Sequence, residues 1–223
     1  MIYVYAFCPS PSTPLAMPKG IAHPVVQVVS GGQLGAIAEF DLDVSQLKED
    51  DQQLMDAVLS HDHVLGHLFN QTVLLPLRFG TQFKSKEALQ NYLQIHQDTY
   101  LQRLEMLSNK AEYLVKLAPK SFPLSPINET LKGRAYFLAK KERLQAQTQA
   151  QVQQDGELQQ FLAHLQTANV EFIQSASHEG EERLHILSMR DPAIAKAQLT
   201  HWQKLIPSWQ IHCSQPLPPY HFA

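Results

Sequence analysis

The chain has 223 residues, 44% hydrophobic and 17% charged, with 18 basic side chains against 21 acidic ones. This is a globular composition, long enough for one large domain or two small ones, and it excludes a disordered chain. A net charge of −3 with scattered bases offers no basic stripe for nucleic acid, and the densest basic group, Lys140-Lys141-Arg143, encloses Glu142 and reads as a solvated helical face.

The chain opens with a strand over Ile2–Phe7, and a loop holding Pro9, Pro11, Pro14 and Pro18 follows. Two β-rich runs, Val25–Val29 and Leu34–Phe40, flank Ser30-Gly31-Gly32-Gln33 and predict a hairpin. Leu54, Met55, Val58, Leu65 and Phe69 recur at helical spacing and predict a helix from about Asp50 to Phe69, with Glu49-Asp50-Asp51 favouring its N-terminus. A strand over Leu74–Phe79 comes next. Pro76 cannot donate to a ladder, which predicts an edge or a bulge. Arg78 needs carbonyls, a carboxylate or solvent, and Gly80 allows a sharp exit. Ser85 can cap a helix predicted over Lys86–Leu107, with Leu89, Tyr92, Leu93, Leu101, Leu104 and Leu107 on one stripe.

After Asn109 the pattern restarts. Glu112–Leu117 reads as a strand, Pro119, Pro123 and Pro126 as a loop, and a helical region runs from about Glu129 to Leu165, with a break or kink expected at Gly156. Leu144–Gln160, rich in glutamine and alanine, has few apolar anchors. It should project from the core or pack lightly, as an exposed helix rather than a partner-binding arm. Strands over Val170–Ser175 and Arg183–Met189 flank Ser177-His178-Glu179-Gly180. Asp191-Pro192 starts a helix, and Ser208–Ser214 is a last strand before a proline-rich tail. The order β-α-β-β-α-β is that of a ferredoxin-like domain. The prediction is an α+β protein of two domains: a mixed α+β domain with mostly antiparallel strands over 1–109, and a ferredoxin-like domain with its tail over 110–223.

No apolar run approaches the roughly 18 residues needed to span a bilayer, and no secretory signal opens the chain. Cys8 and Cys213 read as reduced thiols and the cytoplasm as the compartment. His63 and His67 share a helical face, but His61 lies about 160° away, so histidines of packing or surface are preferred to a metal site. There is no nucleophile elbow, P-loop or dinucleotide fingerprint. No catalytic residue, cofactor or metal is predicted.

Four pieces in order carry a resemblance: Tyr3-Val4-Tyr5; Leu74-Leu75-Pro76-Leu77-Arg78-Phe79-Gly80-Thr81 with Ser85-Lys86-Glu87-Ala88-Leu89; Gly133-Arg134-Ala135-Tyr136; and Pro218-Pro219-Tyr220-His221-Phe222. Together they span nearly the whole chain, which resembles the gas vesicle protein F/L family, accessory proteins of gas vesicle assembly, and most of all its cyanobacterial F type. The resemblance implies a non-enzymatic accessory or minor structural protein. Its partners would be the small, very apolar gas vesicle wall protein and other accessory proteins, with no nucleic acid or membrane, and the gas-facing side of the wall is an implied location. The motif residues Leu75, Pro76, Leu77, Arg78, Phe79, Gly80, Gly133, Arg134, Tyr136, Pro218, Pro219 and Tyr220 would serve structure or partner contact. From the residues alone, Gly133 lets the helix approach a strand, Arg134 caps or bridges, Tyr136 packs with a wet hydroxyl, and the tail docks in extended form across the two domains. The expected grip on an apolar subunit is an exposed apolar or edge-strand surface, at Leu75–Phe79. Two rivals stand beside it: an RNA-binding ferredoxin-like sheet with paired exposed aromatics, and an enzyme holding Arg78, His67 and an acid in an inter-domain pocket.

Overall fold

A computed structural model describes residues 1–45, 47, 50–122, 132–178 and 180–223. Glu49, the prolines at 123 and 126, the helix start near Glu129, and Glu179 lie outside the described residues. The chain divides into two compact units, Met1–Glu112 with Gln215–Ala223, and Tyr113–Ser214. The tail expected with the C-terminal domain therefore belongs to the first unit.

In the first unit, β1 (Ile2–Pro9), β2 (Gln27–Gly31), β3 (Leu34–Phe40), β4 (Leu75–Pro76) and β5 (Gln82–Phe83) form one antiparallel sheet. Its order is β2-β3-β1-β4, with β5 also beside β1. Ile2 to Cys8 are buried without alternation, as a central strand covered on both faces requires. The β2–β3 hairpin turns through Gly32, whose φ of 88° suits glycine. Three helices follow: α1 (Asp51–Phe69), α2 (Lys86–Ile95) and α3 (Gln97–Leu107). Asp50 caps α1 by accepting from the amides of Gln52 and Gln53, and Ser85 caps α2 by accepting from Ala88. At Gly31 a Cβ would stand 2.6 Å from Leu93 Cβ and 3.0 Å from the Gln90 carbonyl, so glycine sets how closely α2 lies on β2.

Two expectations change here. The single helix over Lys86–Leu107 is interrupted at His96 (φ −103°, ψ 9°). Leu93 and Leu104 are eleven residues apart, about three turns, so the apolar stripe runs through the break in phase and conceals it. The strand over Leu74–Phe79 contracts to Leu75–Pro76. The chain leaves the sheet at Arg78–Gly80 and rejoins it at Gln82, with Leu77 N–H donating to the Tyr5 carbonyl and Val4 N–H to that of Thr81.

The second unit holds β6 (Lys110–Pro119, from Tyr113 onward), α4 (Arg134–Thr167), β7 (Phe172–His178), β8 (Glu181–Met189), α5 (Pro192–Leu205) and β9 (Trp209–Cys213). The sheet order β7-β8-β6-β9 is ferredoxin-like, as the β-α-β-β-α-β reading requires. β7 pairs antiparallel with β8, and β6 with β9. Val115, Leu117, Leu184 and Ile186 of the sheet meet Leu158, Phe161 and Leu165 of α4 and Trp202 of α5 in one core. Phe161 and Trp202 pack edge to face at 5.8 Å. Asp191 caps α5 with Pro192 in its first turn.

The expected break at Gly156 does not occur: α4 is continuous for 34 residues, about 50 Å. Gln154, Leu158, Phe161 and Leu165 fall within about 60° of helix circumference. Continued toward the N-terminus, that face meets Gln147, Arg143 and Lys140. Core contact therefore stops at Gln154, and residues 134–149 stand exposed apart from a half-buried Ala139. The light packing expected of Leu144–Gln160 is found up to Gln153 and ends at Gln154 and Leu158, which are buried.

Candidate functional site

The Leu74–Thr81 segment is fixed from below by a buried polar pair. Tyr3 of β1 donates its hydroxyl to Nδ1 of His61 at 2.7 Å, and the Leu77 carbonyl accepts from the same imidazole. Burial is the largest influence on His61; it outweighs Asp62 and the Leu77 carbonyl and holds the imidazole below its ordinary value, hence neutral. The Gly80 amide donates to the Tyr3 oxygen at 3.4 Å, and Phe79 lies edge-on to both Tyr3 and His61. Burial likewise pushes the Tyr3 hydroxyl up, so it remains a donor.

Leu75 and Pro76 are buried, Leu77 and Phe79 half-buried, and Arg78 and Gly80 exposed. Pro76 does lie at the sheet edge, as a residue without an N–H should. Arg78 takes the solvent option, and Gly80 turns with φ 91°. The strand here is only two residues long, and of residues Leu75–Gly80 only Arg78 and Gly80 are fully exposed.

Next to this pair lies Glu39 of β3, an acid 1% exposed in an otherwise apolar strand. Its Oε2 accepts from the Tyr5 hydroxyl and the Ile21 amide, and its Oε1 from the Ala22 and His23 amides and from His23 Nδ1. Burial alone would raise the carboxyl, but the bonds from Tyr5, Ala22, His23 and Ile21 prevail and hold it below its ordinary range. A Cβ on Gly20 would collide with this carboxylate. Glu39 thus ties the proline-rich loop to the sheet. Cys8 is buried, its thiol pushed up to about 12, and both cysteines are free.

The tail is ordered against the first unit. Glu112 and Leu217 exchange backbone bonds at 3.0 and 2.9 Å, and the buried Glu112 carboxylate accepts from the His221 amide and meets its Nδ1 at 2.7 Å. Tyr220 donates to Asp62 on α1, and Pro218 and Pro219 are buried. The tail expected to dock in extended form across both domains is instead grouped with the first unit, and it turns at Tyr220–Phe222.

The Gly133 motif behaves differently from its expected role. Gly133 begins α4 with φ 59°, and a Cβ there would meet nothing within 4 Å, so the residue serves a backbone turn rather than a close approach. Arg134 and Tyr136 are exposed, and the Tyr136 ring stacks edge-on to Phe137 at 6.0 Å.

Of the histidines weighed for metal, His61 is buried against Tyr3, while His67 Nε2 lies 3.0 Å from the Ala16 carbonyl and 6.4 Å separates the rings of His63 and His67. A 490 Å³ cleft lies between α1 and residues 19–21, lined by Lys19, Gly20, Ile21, Asp56, Leu59, Ser60 and His63; neither Arg78 nor His67 belongs to it. For the RNA-binding alternative, which needs paired exposed aromatics, Phe172 of β7 instead packs against the core.

Sequence reasoning passed over the buried acids Glu39 and Glu112 and the edge position of β7. A lone acid in Ala36-Ile37-Ala38-Glu39-Phe40 was a usable signal, because a carboxylate among apolar strand residues demands donors from elsewhere. Among the described residues β7 has a strand neighbour on one side only, β8, and Phe172-Ile173-Gln174-Ser175-Ala176-Ser177-His178 contains no Lys, Arg, Asp or Glu.

An α+β protein with a ferredoxin-like unit, buried polar ties that serve structure, and an uncharged open strand edge has the make-up of a binding or assembly protein. The chain belongs to the gas vesicle synthesis protein GvpL/GvpF family, whose description matches residues 1–223. Gas vesicle protein F of Streptomyces sp. (strain CB03234) is 28% identical over 244 residues, covering 99% of this chain and 98% of that protein. Gas vesicle protein L of the same strain is 27% identical over 128 residues, covering 56% of this chain and 48% of that protein. The fold is shared with the crystal structures of GvpF from Anabaena sp. PCC7120 (TM-score 0.68, 18% identity, 100% of this chain and 95% of that one) and Microcystis aeruginosa (TM-score 0.68, 16% identity, 99% and 98%). Among the described residues no helix is long and apolar enough to cross a membrane.

Proposed function

We propose that this protein is a non-enzymatic accessory protein of gas vesicle assembly that holds the vesicle's apolar wall protein by strand addition along β7. The observation that carries this reading is the edge itself. It offers seven residues without a charged side chain, six of them beyond the one core contact at Phe172, with Ile173 40% exposed. Soluble proteins commonly blunt such edges with lysine, proline or short strands. An edge left open gives backbone hydrogen bonds to any extended apolar segment, with side-chain pockets adding selectivity. A partner that is apolar and poor in charge cannot be gathered by electrostatics, and a chain of net charge −3 has little long-range field to do so. The reading extends to a minor wall component at the gas-facing side. Co-precipitation with the wall protein tests it, comparing the native chain with Ile173→Lys/Ala176→Lys, both exposed positions. The lysines should abolish co-precipitation while leaving the fold intact; undiminished co-precipitation would remove β7 from consideration.

A further inference from the structure

Two exposed helical surfaces, one in each unit, are complementary in charge, and each carries exposed apolar side chains. On α4, Phe137 is 70% exposed, and Phe137, Leu144, Arg134 and Lys141 share about 80° of helix circumference. Lys140 borders that stripe, and residues 134–143 carry four bases against the single acid Glu142. On α1, Met55 and Leu59 are 56% and 58% exposed, one turn apart. Asp51 and Asp62 lie within about 80° of that pair, Asp56 borders it, and α1 carries no Lys or Arg. Leu59 and Asp56 also form the helical wall of the 490 Å³ cleft, whose loop wall supplies Ile21 and Lys19. Its lining mixes the aliphatic Ile21 and Leu59 with Asp56, Lys19, Ser60 and His63, and its volume exceeds that of a phenyl ring.

We infer that the basic, apolar stripe of α4 docks on the acidic, apolar face of α1 in a second copy of this chain, with Phe137 as the residue that enters the α1 cleft. The occupant is a second copy because the same chain displays both halves. The first ten residues of α4 hold a net +3 within a molecule of net −3, so the acidic excess lies outside this stretch. A bilayer is the poorer match. Large apolar side chains of this stripe recur only once in about two turns, too sparse for the broad apolar face of a membrane-lying helix. The contact joins unlike patches, so it is heterologous and adds copies head to tail. It is small and rim-charged, which makes it weak and salt-sensitive. This surface is independent of β7 and leaves that edge free.

Sedimentation velocity over a concentration series tests the inference on the full chain. The weight-average mass should rise with concentration in dilute buffer and fall back toward the monomer in about 0.5 M salt. Phe137→Ser should weaken the association. Lys140→Glu/Lys141→Glu on α4, or Asp51→Asn/Asp56→Lys on α1, should weaken it about tenfold each. Mixing the two charge-altered proteins should restore association, because each supplies the charge the other lacks. All of these side chains are exposed, and unchanged melting of each variant shows that the fold is kept. Lys140→Gln/Lys141→Gln replaces the reversal should it melt early. A monomer at every concentration, association indifferent to both charge variants, or loss without restoration on mixing overturns the inference. So does binding of the native chain to anionic phosphatidylserine vesicles in place of self-association.

Discussion

Glu39→Gln is the sharpest single perturbation of this fold. The side chain keeps its shape but exchanges one oxygen for an NH2 group. If the remaining oxygen serves the Ala22 and His23 amides, the NH2 faces two former donors, the Tyr5 hydroxyl and the Ile21 amide. Tyr5 can rotate its hydrogen and accept; the Ile21 N–H cannot. Losing a charge-assisted bond costs about 1.5–3 kcal/mol, and an orphaned donor at a carboxylate this deeply buried falls in the same range. A total near 3 kcal/mol corresponds to about 6–12 °C in a chain of this length. Acidification supplies a second reading. The folded carboxyl lies below its ordinary 4.5, so the ionised form stabilises the fold. That contribution is complete above pH 4.5 and is lost as pH falls from there through the folded value. Thermal unfolding followed by circular dichroism, at neutral pH and between pH 6 and 3, measures both. A variant that melts with the native chain and keeps its acid sensitivity would refute the anchoring role of Glu39.

Gly20→Ala should also destabilise the first unit, by about 1–3 kcal/mol in denaturant titration, because the added methyl runs into the Glu39 carboxylate. Gly156→Ala should stabilise α4 by about 0.5–1 kcal/mol, since its Cβ enters open space within a continuous helix; no gain in the melting temperature would contradict that geometry. Phe161→Ala should cost about 3–5 kcal/mol through a cavity beside Trp202, read from the same unfolding curves. Burial holds His61 below 6.5 in the folded state, so the unfolded chain gains its proton first and stability declines as pH falls below 6.5. The decline is at most about 1.4 kcal/mol per pH unit, and His61→Gln should flatten that part of the profile.

The ferredoxin-like unit was legible because its signals are local: an Asp-Pro cap at 191–192 and two strands flanking a turn at Gly180. The break at His96 was hidden by an in-phase stripe, and Gly156 misled because a helix held by Leu158, Phe161 and Leu165 on one side tolerates its intrinsic cost. The length of β4 depended on Tyr3 and His61, which are 58 residues apart and meet only in the folded chain. The edge position of Leu75–Pro76 was legible from Pro76, but the extent of the strand, two residues rather than the Leu74–Phe79 run, depended on contacts that local pattern does not encode. The tail's aromatic and proline content announced docking; its partners Glu112 and Asp62 did not show in the sequence.

Amide hydrogen exchange of the native chain, with and without the wall protein, bears most directly on the proposed function. Strand addition predicts new protection concentrated in Phe172–His178, as large as that of a paired inner strand, with β2 and the Leu75–Phe79 segment unchanged. Protection that appears elsewhere while β7 continues to exchange freely in the complex would contradict the account.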